Sequence, residues 1–316
     1  MLMTNHLRTV LIGAFLACAT LVAAVGITRH NSGTEPVGVA TPRGPYVALG
    51  DSYTAGPRIP DRTGTPAGCD RSDHDYPALV AERLRLRAAH FRDVSCSGAT
   101  IADLTVPQST DDGTNPPQLS ALSAGTRLVT LGIGGNDIGF SALITTCVKA
   151  GVIYDMTGRG KYTGDDAPCR GKYVSGDTDD VQRKIDTAGE RLSEAVAEVK
   201  RRAPKARVYV VGYPAILLRA GGSGCADDLT LAPGDATYLH DKEQQLNAEL
   251  RKRAQEAGAG YVDTYKPSVG RDACSGRDTR WIEPLLPSLP AAPMHPNERG
   301  ARGMADAVLH AVGTPR

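Results

Sequence analysis

The first residues suited to chemistry are Gly50-Asp51-Ser52-Tyr53, which follow a short run of apolar or β-favouring residues from Tyr46 to Leu49. That run is typical of a buried strand, and Gly50 ends it where the backbone must turn sharply. A serine on such a turn exposes its hydroxyl and can point its N–H at a substrate, as an acyl-transfer nucleophile requires. An isolated Gly-Asp-Ser is also common as a plain turn or helix N-cap, so this stretch alone is not decisive.

Three further groups lie at the ends of predicted elements. Gly98 follows a short strand, Asn136 follows another within Gly134-Gly135-Asn136-Asp137, and His295 lies between prolines just before the last predicted helix. Each of these residues alone is more commonly found in an ordinary turn or loop. However, a histidine can act as the general base for Ser52, and an asparagine amide can donate to a developing oxyanion.

Alternating strands and helices are predicted to position these residues. The strands lie near residues 46–49, 127–132, 208–212 and 260–263, and a short one precedes Val94; the helices cover about 76–87, 180–202 and 236–257, with a last one from about Asn297. Residues 141–180 are predicted to be mostly loop. The alternation indicates an α/β fold whose parallel sheet is covered on both faces.

Taken in chain order, the four blocks resemble the SGNH-hydrolase family of GDSL-type esterases and lipases, which supply serine, glycine, asparagine and histidine in this sequence. The resemblance covers roughly residues 45–311. It implies a three-layer α/β/α fold with a central parallel sheet, the flavodoxin-like SGNH hydrolase fold. The N-terminal leader and the cysteine pattern resemble the secreted actinobacterial branch of the family, with three disulfides.

The resemblance implies a mechanism for Ser52 and His295. Ser52 attacks an ester carbonyl while His295 takes its proton, and water later releases the acid from the acyl-serine. The N–H groups of Ser52 and Gly98 and the side-chain amide of Asn136 would hold the oxyanion. This chemistry requires no metal and no organic cofactor.

The sequence departs from the family pattern next to His295. The family usually has an aspartate three residues before the histidine, but here that position is Ala292, followed by Pro293. The resemblance to some secreted members implies that a main-chain carbonyl of one of these two residues orients His295. The nearest upstream carboxylates, Asp278 and Glu283, remain as rival acceptors.

The expected function is that of a secreted serine esterase or lipase acting on lipid or small acyl esters. A carbohydrate O-acyl esterase is the alternative, weakly disfavoured because sugars often stack on aromatic rings and the chain has one Trp and three Phe. The alternative outside the enzymes is a binding protein that has kept the fold and lost catalysis. The missing aspartate before His295 is the reason to consider it. The apolar segment 284–290 is predicted to be either a lipid-facing rim or a buried core loop.

The N-terminus has the pattern of an exported protein. A basic start, an apolar run over residues 10–27 and nearby small residues predict a signal peptide within residues 1–30. The run is long enough that a membrane anchor, with the domain facing outside, is the alternative. Residues 31–44 are predicted to be a flexible linker and residues 45–316 the hydrolase domain.

Cysteine usage agrees with export. Setting aside Cys18, the chain has six cysteines and no Cys-x-x-Cys pair, which disfavours zinc ribbons and thioredoxin-type sites. An even number in an exported chain predicts three disulfides, and many connectivities are open. Pairing in sequence order is the prediction: Cys69 with Cys96, Cys147 with Cys169, and Cys225 with Cys274.

The charge balance bears on possible partners. The formal net charge is +1 and no basic stripe is present, which argues against nucleic acid or an anionic membrane surface as the primary partner. The expected partner is a small-molecule or lipid ester substrate. No obligate protein partner is implied, and the chain is expected to be a monomer.

Overall fold

Nine strands lie among the residues that the computed structural model describes, which are 44–158, 166–217 and 229–313. They are β1 Tyr46–Gly50, β2 Phe91–Asp93, β3 Gln108–Thr110, β4 Gly113–Asn115, β5 Leu128–Gly132, β6 Val174–Ser175, β7 Thr178–Asp179, β8 Arg207–Val211 and β9 Gly260–Val262. Five of them form a parallel sheet in the order β2-β1-β5-β8-β9, whereas β3-β4 and β6-β7 are antiparallel hairpins.

Helices connect and cover these strands. The α-helices of the described residues are α1 Ser52–Ala55, α2 Tyr76–Arg83, α3 Phe140–Gly158, α4 Asp180–Arg202, α5 Pro233–Glu256, α6 Tyr265–Ser268 and α7 Glu298–Ala311. Short 3₁₀ helices cover Ala67–Cys69, Ala88–His90, Ile101–Leu104, Gln118–Ala121 and Arg170–Lys172.

Helices cover both faces of the central sheet, because successive side chains of a strand point to opposite sides. On one face, Val47 and Leu49 join a core cluster with side chains of α4 and α5. On the other face, Tyr46 and Ala48 join a second cluster with side chains of α2 and α7. The predicted three-layer α/β/α architecture with a central parallel sheet is therefore confirmed.

The register of the two central strands determines what lies at the carboxyl edge of the sheet. β1 pairs with β5 from Tyr46–Leu128 to Gly50–Gly132 without a shift. The segments that follow these two strands, which begin with Asp51 and Ile133, therefore emerge side by side at one edge. That edge is where open α/β sheets bind their ligands.

The prediction of a loop over most of residues 141–180 is wrong for residues 141–158, because α3 occupies Phe140–Gly158. From Phe140 to Val148 the chain carries no charged residue, so the alternation of polar and apolar faces that marks an exposed helix is weak. Leu143, Ile144 and Cys147 on this helix are buried in the core.

The helices whose apolar residues recur at helical spacing match their predicted positions more closely than α3 does. The predicted bounds of α4 agree with the structure. α5 begins at Pro233, earlier than predicted, because a proline is well suited to the first turn of a helix. α2 ends at Arg83, earlier than the predicted 87, and Arg85 just after it has a left-handed backbone with φ 52°.

Two of the predicted disulfides are confirmed. Cys69 is bonded to Cys96, and Cys147 is bonded to Cys169. Cys274 is also disulfide-bonded. The predicted pairing of Cys225 with Cys274 stays a prediction, because Cys225 lies outside the described residues.

The N-terminal predictions also lie outside the described residues. These are the signal peptide or anchor within residues 1–30 and nearly all of the linker, up to residue 43. In the part of the chain that is described, no helix combines the length and the apolar character needed to span a bilayer.

Candidate active site

Ser52 is the first residue of α1, two residues after the last residue of β1. The turn between them requires Gly50, since a Cβ there would lie 2.5 Å from the carbonyl oxygen of Gly132. Asp51 caps α1, because its carboxylate accepts the N–H of Tyr53 at 2.9 Å. A residue at the start of a helix has no partner for its N–H within that helix, so the N–H of Ser52 can serve a ligand.

His295 lies next to Ser52, although 243 positions separate them in the chain. The Ser52 hydroxyl donates to Nε2 of His295 at 2.8 Å, and Nδ1 of the same ring donates to the carbonyl oxygen of Pro293 at 2.7 Å. This arrangement fixes the tautomer, since Nδ1 carries the proton and Nε2 is left as a base facing Ser52.

Of the two carbonyls predicted to orient His295, only that of Pro293 does so. The expectation for Ala292 is wrong, because its carbonyl accepts the main-chain N–H of His295 at 3.2 Å instead of the ring. The short turn between Ala292 and His295 directs the intervening carbonyl, that of Pro293, toward Nδ1.

Neither rival carboxylate is the acceptor, since Nδ1 of His295 is bonded to the Pro293 carbonyl and Nε2 to Ser52. Glu283 is buried and forms a two-pronged ion pair with Arg280 at 2.8 and 2.9 Å, and it also accepts from Asn297 and from the N–H groups of Ser288 and Leu289. Asp278 is exposed on the surface. Glu283 does contribute its main chain, since its N–H donates to the carbonyl of His295 at 3.0 Å.

The protonation state of His295 follows from its surroundings. Burial of the ring lowers the pKa of His295 below its ordinary value, and the positive charge of Arg58 lowers it further, against the opposing effect of the Pro293 hydrogen bond. The imidazole is therefore neutral at neutral pH, which is the form that can take a proton from Ser52.

Tyr53 and Met294 hold the histidine loop in place. Met294 has a left-handed backbone with φ 59°, an unfavourable conformation for a residue with a side chain. Two contacts stabilise it: its N–H donates to the Glu283 carbonyl at 3.0 Å, and its carbonyl accepts the Tyr53 hydroxyl at 2.5 Å. The Tyr53 ring also packs on the His295 ring, with their centroids 4.9 Å apart.

Asn136 lies in the loop that follows β5 and lines the same cavity as Ser52. Its side-chain amide donates one N–H to the carbonyl of Ala99 at 2.9 Å, and Asp137 next to it accepts the N–H of Ile101 at 3.1 Å. These bonds tie the Asn136 loop to the loop after β2. An amide has two N–H groups, so the second one of Asn136 is free to serve a substrate in the cavity that Asn136 and Ser52 both line.

Gly98 occupies the loop after β2, as predicted, with a left-handed φ of 79°. Space does not require a glycine there, since the nearest atom to an added Cβ would be 3.7 Å away. The left-handed backbone conformation does favour glycine at this position. Among the described residues that line the cavity, Ser52 and Asn136 are present but Gly98 is not.

A cavity of about 130 Å³ opens beside Ser52. Its walls are mostly apolar, with a few polar side chains among them; the apolar residues of the lining include Phe140, Ile144, Ile216, Leu246, Leu285, Pro293 and Met294. Buried Glu243 is also part of the lining and accepts the N–H of Ile216 at 2.9 Å; burial raises its pKa well above the ordinary value. An apolar cavity of this kind is suited to a hydrocarbon chain.

The segment 284–290 is a surface segment and not a buried core loop. Leu285 lines the cavity, whereas the next residue, Leu286, is 88% exposed. The segment thus borders the cavity mouth, which agrees with the first of the two predicted possibilities, a rim.

Three buried side chains of types that can bind a metal lie close together: Cys147, Cys169 and Asp235. All three are engaged in other bonds. The two sulfurs are joined in a disulfide and are not available as thiolates. Asp235 accepts the main-chain N–H groups of Cys169 and Arg170. The cluster is structural.

Sequence reasoning missed several residues that shape this site. Gln118 holds the turn before Ser52 through two hydrogen bonds to Gly50. Its side-chain oxygen accepts the N–H of Gly50 at 2.8 Å, and its side-chain nitrogen donates to the Gly50 carbonyl at 2.9 Å. Tyr213 contacts Asp51 and Gly135. The position of Tyr213 just after β8 is a signal that could have identified it, because the other site residues were sought at strand ends.

The chain matches the GDSL-like Lipase/Acylhydrolase family over residues 48–302. It is 39% identical to Lipase 2 of Streptomyces coelicolor over 97% of this chain and 98% of that protein. It is similar in structure to phospholipase A1 from Streptomyces albidoflavus NA297, with 28% identity, a TM-score of 0.68 and coverage of 85% of this chain and 100% of that one. The extracellular lipase of Streptomyces rimosus is also similar, at 27% identity and a TM-score of 0.67 over 85% and 99% of the two chains.

Proposed function

This chain belongs to the GDSL-like lipase/acylhydrolase family and is a carboxylic ester hydrolase, and from that premise we propose that Ser52 and His295 carry out the reaction. The observation that carries the proposal is the hydrogen-bonded series from the Ser52 hydroxyl through His295 to the Pro293 carbonyl. It combines a nucleophile, a base and a group that fixes the tautomer of the base.

The first half of the reaction forms the acyl-enzyme. Oγ of Ser52 bonds to the ester carbonyl carbon while its proton moves to Nε2 of His295, and the carbonyl electron pair moves onto oxygen. The tetrahedral intermediate then collapses, the bond to the alcohol oxygen breaks, and His295 gives its proton to the leaving alkoxide. In the second half, water attacks the acyl-serine with the same proton transfers and releases the acid.

The oxyanion is held by two main-chain N–H groups and one side-chain amide. We assign this role to the N–H groups of Ser52 and Gly98 and to the free N–H of the Asn136 amide. The ties from Asn136 to Ala99 and from Asp137 to Ile101 support the assignment, because they fix these donors before substrate arrives. Such preorganised donors contribute about 3–4 kcal/mol each to lowering the barrier.

Lipid esters are the substrate class that the site and the relatives favour. The apolar lining of the cavity beside Ser52 is suited to an acyl chain, and the three similar proteins named above are two lipases and a phospholipase A1. A carbohydrate ester fits less well, since Trp281 is the only tryptophan, is 7% exposed and is not among the cavity residues.

We also propose that the protein is secreted. The basic start and apolar run of residues 1–30 support this, as do the disulfides. The relative from Streptomyces rimosus is an extracellular lipase. Detection of the mature chain in culture medium, with N-terminal sequencing, tests secretion and leader cleavage together.

A labelling experiment tests the catalytic assignment. A fluorophosphonate probe should modify Ser52 in the parent protein, and peptide mass mapping should locate it there. Ser52→Ala should lower hydrolysis of a p-nitrophenyl ester by at least ~10³-fold, whereas Ser193→Ala on α4 should behave as the parent. A Ser52→Ala protein that keeps more than about a tenth of the activity would overturn the assignment.

A substrate panel tests the lipid preference. Phosphatidylcholine vesicles, a triacylglycerol emulsion, p-nitrophenyl esters of increasing chain length and acetylated xylan should be compared at equal ester concentration. The glycerolipids or longer acyl esters should give the higher kcat/KM. A preference for acetylated xylan would replace the lipid proposal with a carbohydrate esterase.

A further inference from the structure

Tyr213 lies between the two segments to which the proposed reaction assigns its main groups. Its hydroxyl donates to Oδ2 of Asp51 at 2.5 Å and accepts the N–H of Gly135 at 2.7 Å. Asp51 precedes the proposed nucleophile, and Gly135 precedes the proposed oxyanion donor Asn136. One oxygen atom is therefore bonded to both halves of the site.

On the nucleophile side, the bond fixes a capping group. Oδ1 of Asp51 accepts the N–H of Tyr53 and so sets the first turn of α1, where Ser52 lies. Asp51 is 1% exposed, and its burial raises its pKa to about 7, an effect that the Tyr213 hydrogen bond opposes. The hydroxyl of Tyr213 thus holds the buried carboxylate in the position in which it caps α1.

On the oxyanion side, the bond fixes a glycine-rich turn. Gly134 has a left-handed φ of 121°, and a Cβ added to Gly135 would lie 3.1 Å from the Tyr213 hydroxyl oxygen. The loop therefore approaches the hydroxyl closely. A turn built on Gly134-Gly135 has many alternative conformations, and the hydrogen bond from Gly135 selects one of them.

Tyr213 is itself held firmly. The side chain of Asn247 on α5 accepts its main-chain N–H at 2.8 Å and donates to its carbonyl at 3.0 Å. The ring is 4% exposed and packs edge-on against Tyr53, with centroids 5.1 Å apart. A side chain fixed at both its main chain and its ring can impose a position on its partners.

We propose that Tyr213 is a positioning residue for ester hydrolysis, whose hydroxyl holds the Asn136 loop at a fixed distance from Ser52. The inference rests on the proposed roles of Ser52 and Asn136. It assigns to Tyr213 no contact with the reacting atoms. The hydroxyl acts through Gly135, by keeping the amide of Asn136 where the oxyanion forms.

The test is Tyr213→Phe, which removes one oxygen and keeps the ring. Tyr46→Phe is the matched control, because Tyr46 is also buried and its hydroxyl also makes a buried hydrogen bond, to Thr130 at 2.8 Å. Loss of an oxyanion donor lowers kcat by ~10²–10³-fold. Since Tyr213 acts through such a donor, Tyr213→Phe should lower kcat by ~10–100-fold and leave KM within about twofold, whereas Tyr46→Phe should leave both near the parent values.

A double-mutant cycle separates positioning from loss of stability. If Tyr213 acts through Asn136, adding Tyr213→Phe to Asn136→Ala should lower kcat by less than about threefold further, because the positioned group is already gone. A purely structural effect would multiply with that of Asn136→Ala. Thermal unfolding midpoints, measured alongside, should fall for both tyrosine variants and fall further for Tyr213→Phe, because the Tyr213 hydroxyl makes two hydrogen bonds, one of them to a buried carboxylate.

Two outcomes would overturn the inference: a kcat for Tyr213→Phe within about threefold of that for Tyr46→Phe, or effects that multiply in the cycle. Failure of the proposed function is a distinct result, seen as a Ser52→Ala protein that remains active. The inference also fails if Asn136→Ala alone has no effect on kcat, because Tyr213 would then have no oxyanion donor to act through.

Discussion

At the scale of single residues, the site depends on two different kinds of interaction. Ser52, His295 and Asn136 have side-chain chemistry that the sequence displays directly. Their supporting groups are main-chain atoms, such as the carbonyl of Pro293, or side chains distant in sequence, such as Tyr213, which is 162 positions from Asp51. Residue types predict the first kind. No local pattern predicts the second kind, because it depends on where the chain returns in three dimensions.

Asn136→Ala tests the oxyanion assignment. The variant should lose ~10²–10³-fold in kcat with little change in KM, since the donated bond forms only as charge develops on the substrate oxygen. Steady-state kinetics on one soluble ester measures both constants. Asn115→Ala is the control for loss of stability. Asn115 is the last residue of β4, and its buried side-chain amide donates to the Val94 carbonyl. A rise in KM alone would make Asn136 a substrate-positioning residue instead.

The acceptor of His295 can be tested through the rival carboxylates. Asp278→Asn and Glu283→Gln should each keep kcat within about tenfold of the parent, because loss of a true triad aspartate lowers kcat by ~10⁴-fold. Glu283→Gln should lower the melting temperature, since Glu283 accepts five hydrogen bonds in a buried network with Arg280 and Asn297. A triad-sized loss in either variant, with the fold intact by circular dichroism, would contradict the assignment to Pro293.

The pH profile tests the environment of His295. Burial and the charge of Arg58 lower its pKa, so the neutral base persists to lower pH than for an ordinary imidazole, and the acid limb of kcat/KM should lie below about pH 6.5. Arg58→Gln removes a positive charge, which raises the pKa of His295 and moves the limb to higher pH. Arg62→Gln nearby should leave it in place. The shift should shrink in high salt, because Arg58 is exposed; an unmoved limb would rule out its influence.

At the scale of elements, the sheet and the long periodic helices follow from local sequence. α4 matches its predicted bounds because apolar residues at helical spacing, among them Ile185, Leu192, Val196 and Val199, face the core. α3 was missed because its first half carries no charged residue, so that its exposed face is marked only by short hydroxyl side chains such as Ser141 and Thr145. The hairpins β3-β4 and β6-β7 were missed because their strands are only two or three residues long.

One side chain links α4 to α5, and its removal should destabilise the fold without altering the chemistry. Asp179 caps α4 by accepting the N–H groups of Val181 and Gln182, and it pairs with Lys242 of α5 at 2.7 Å. Asp179→Ala should lower the free energy of unfolding by about 3 kcal/mol, since the cap is lost and a buried ammonium is left without its carboxylate.

Asp179→Asn is the matched variant for that helix pair, because it keeps a capping oxygen and removes the charge. It should lose less stability than Asp179→Ala. Burial raises the pKa of Asp179, but the hydrogen bond and charge of Lys242, together with hydrogen bonds from Gln182 and Tyr238, outweigh burial and lower the pKa below its ordinary value. The stabilisation by Asp179 is therefore present above the unfolded pKa near 3.8 and is lost as pH falls through the lower folded pKa. Urea unfolding at pH 7 and pH 3 measures both effects; equal stabilities for the two variants at pH 7 would contradict a role for the cap.

At the scale of the whole molecule, disulfides tie loops to the core. Cys69–Cys96 closes a separation of 27 residues and Cys147–Cys169 one of 22, and each is expected to stabilise the fold by about 3 kcal/mol. Mass mapping of non-reduced peptides should also find Cys225 joined to Cys274, the predicted third bridge. A peptide that joins Cys225 to any other cysteine would refute pairing in sequence order, and reduced protein is the control for the assignment of peptides.

The carbonyl that orients His295 has a consequence for how mutations affect this enzyme. A carboxylate in that role can be deleted by a single codon change, whereas every amino acid that could replace Pro293 brings its own carbonyl. Mutation at this position can misdirect the acceptor but cannot remove it. Substitutions at Pro293 should therefore be tolerated in the order of their backbone preference: residues that keep the turn should retain activity, and flexible residues should lose it.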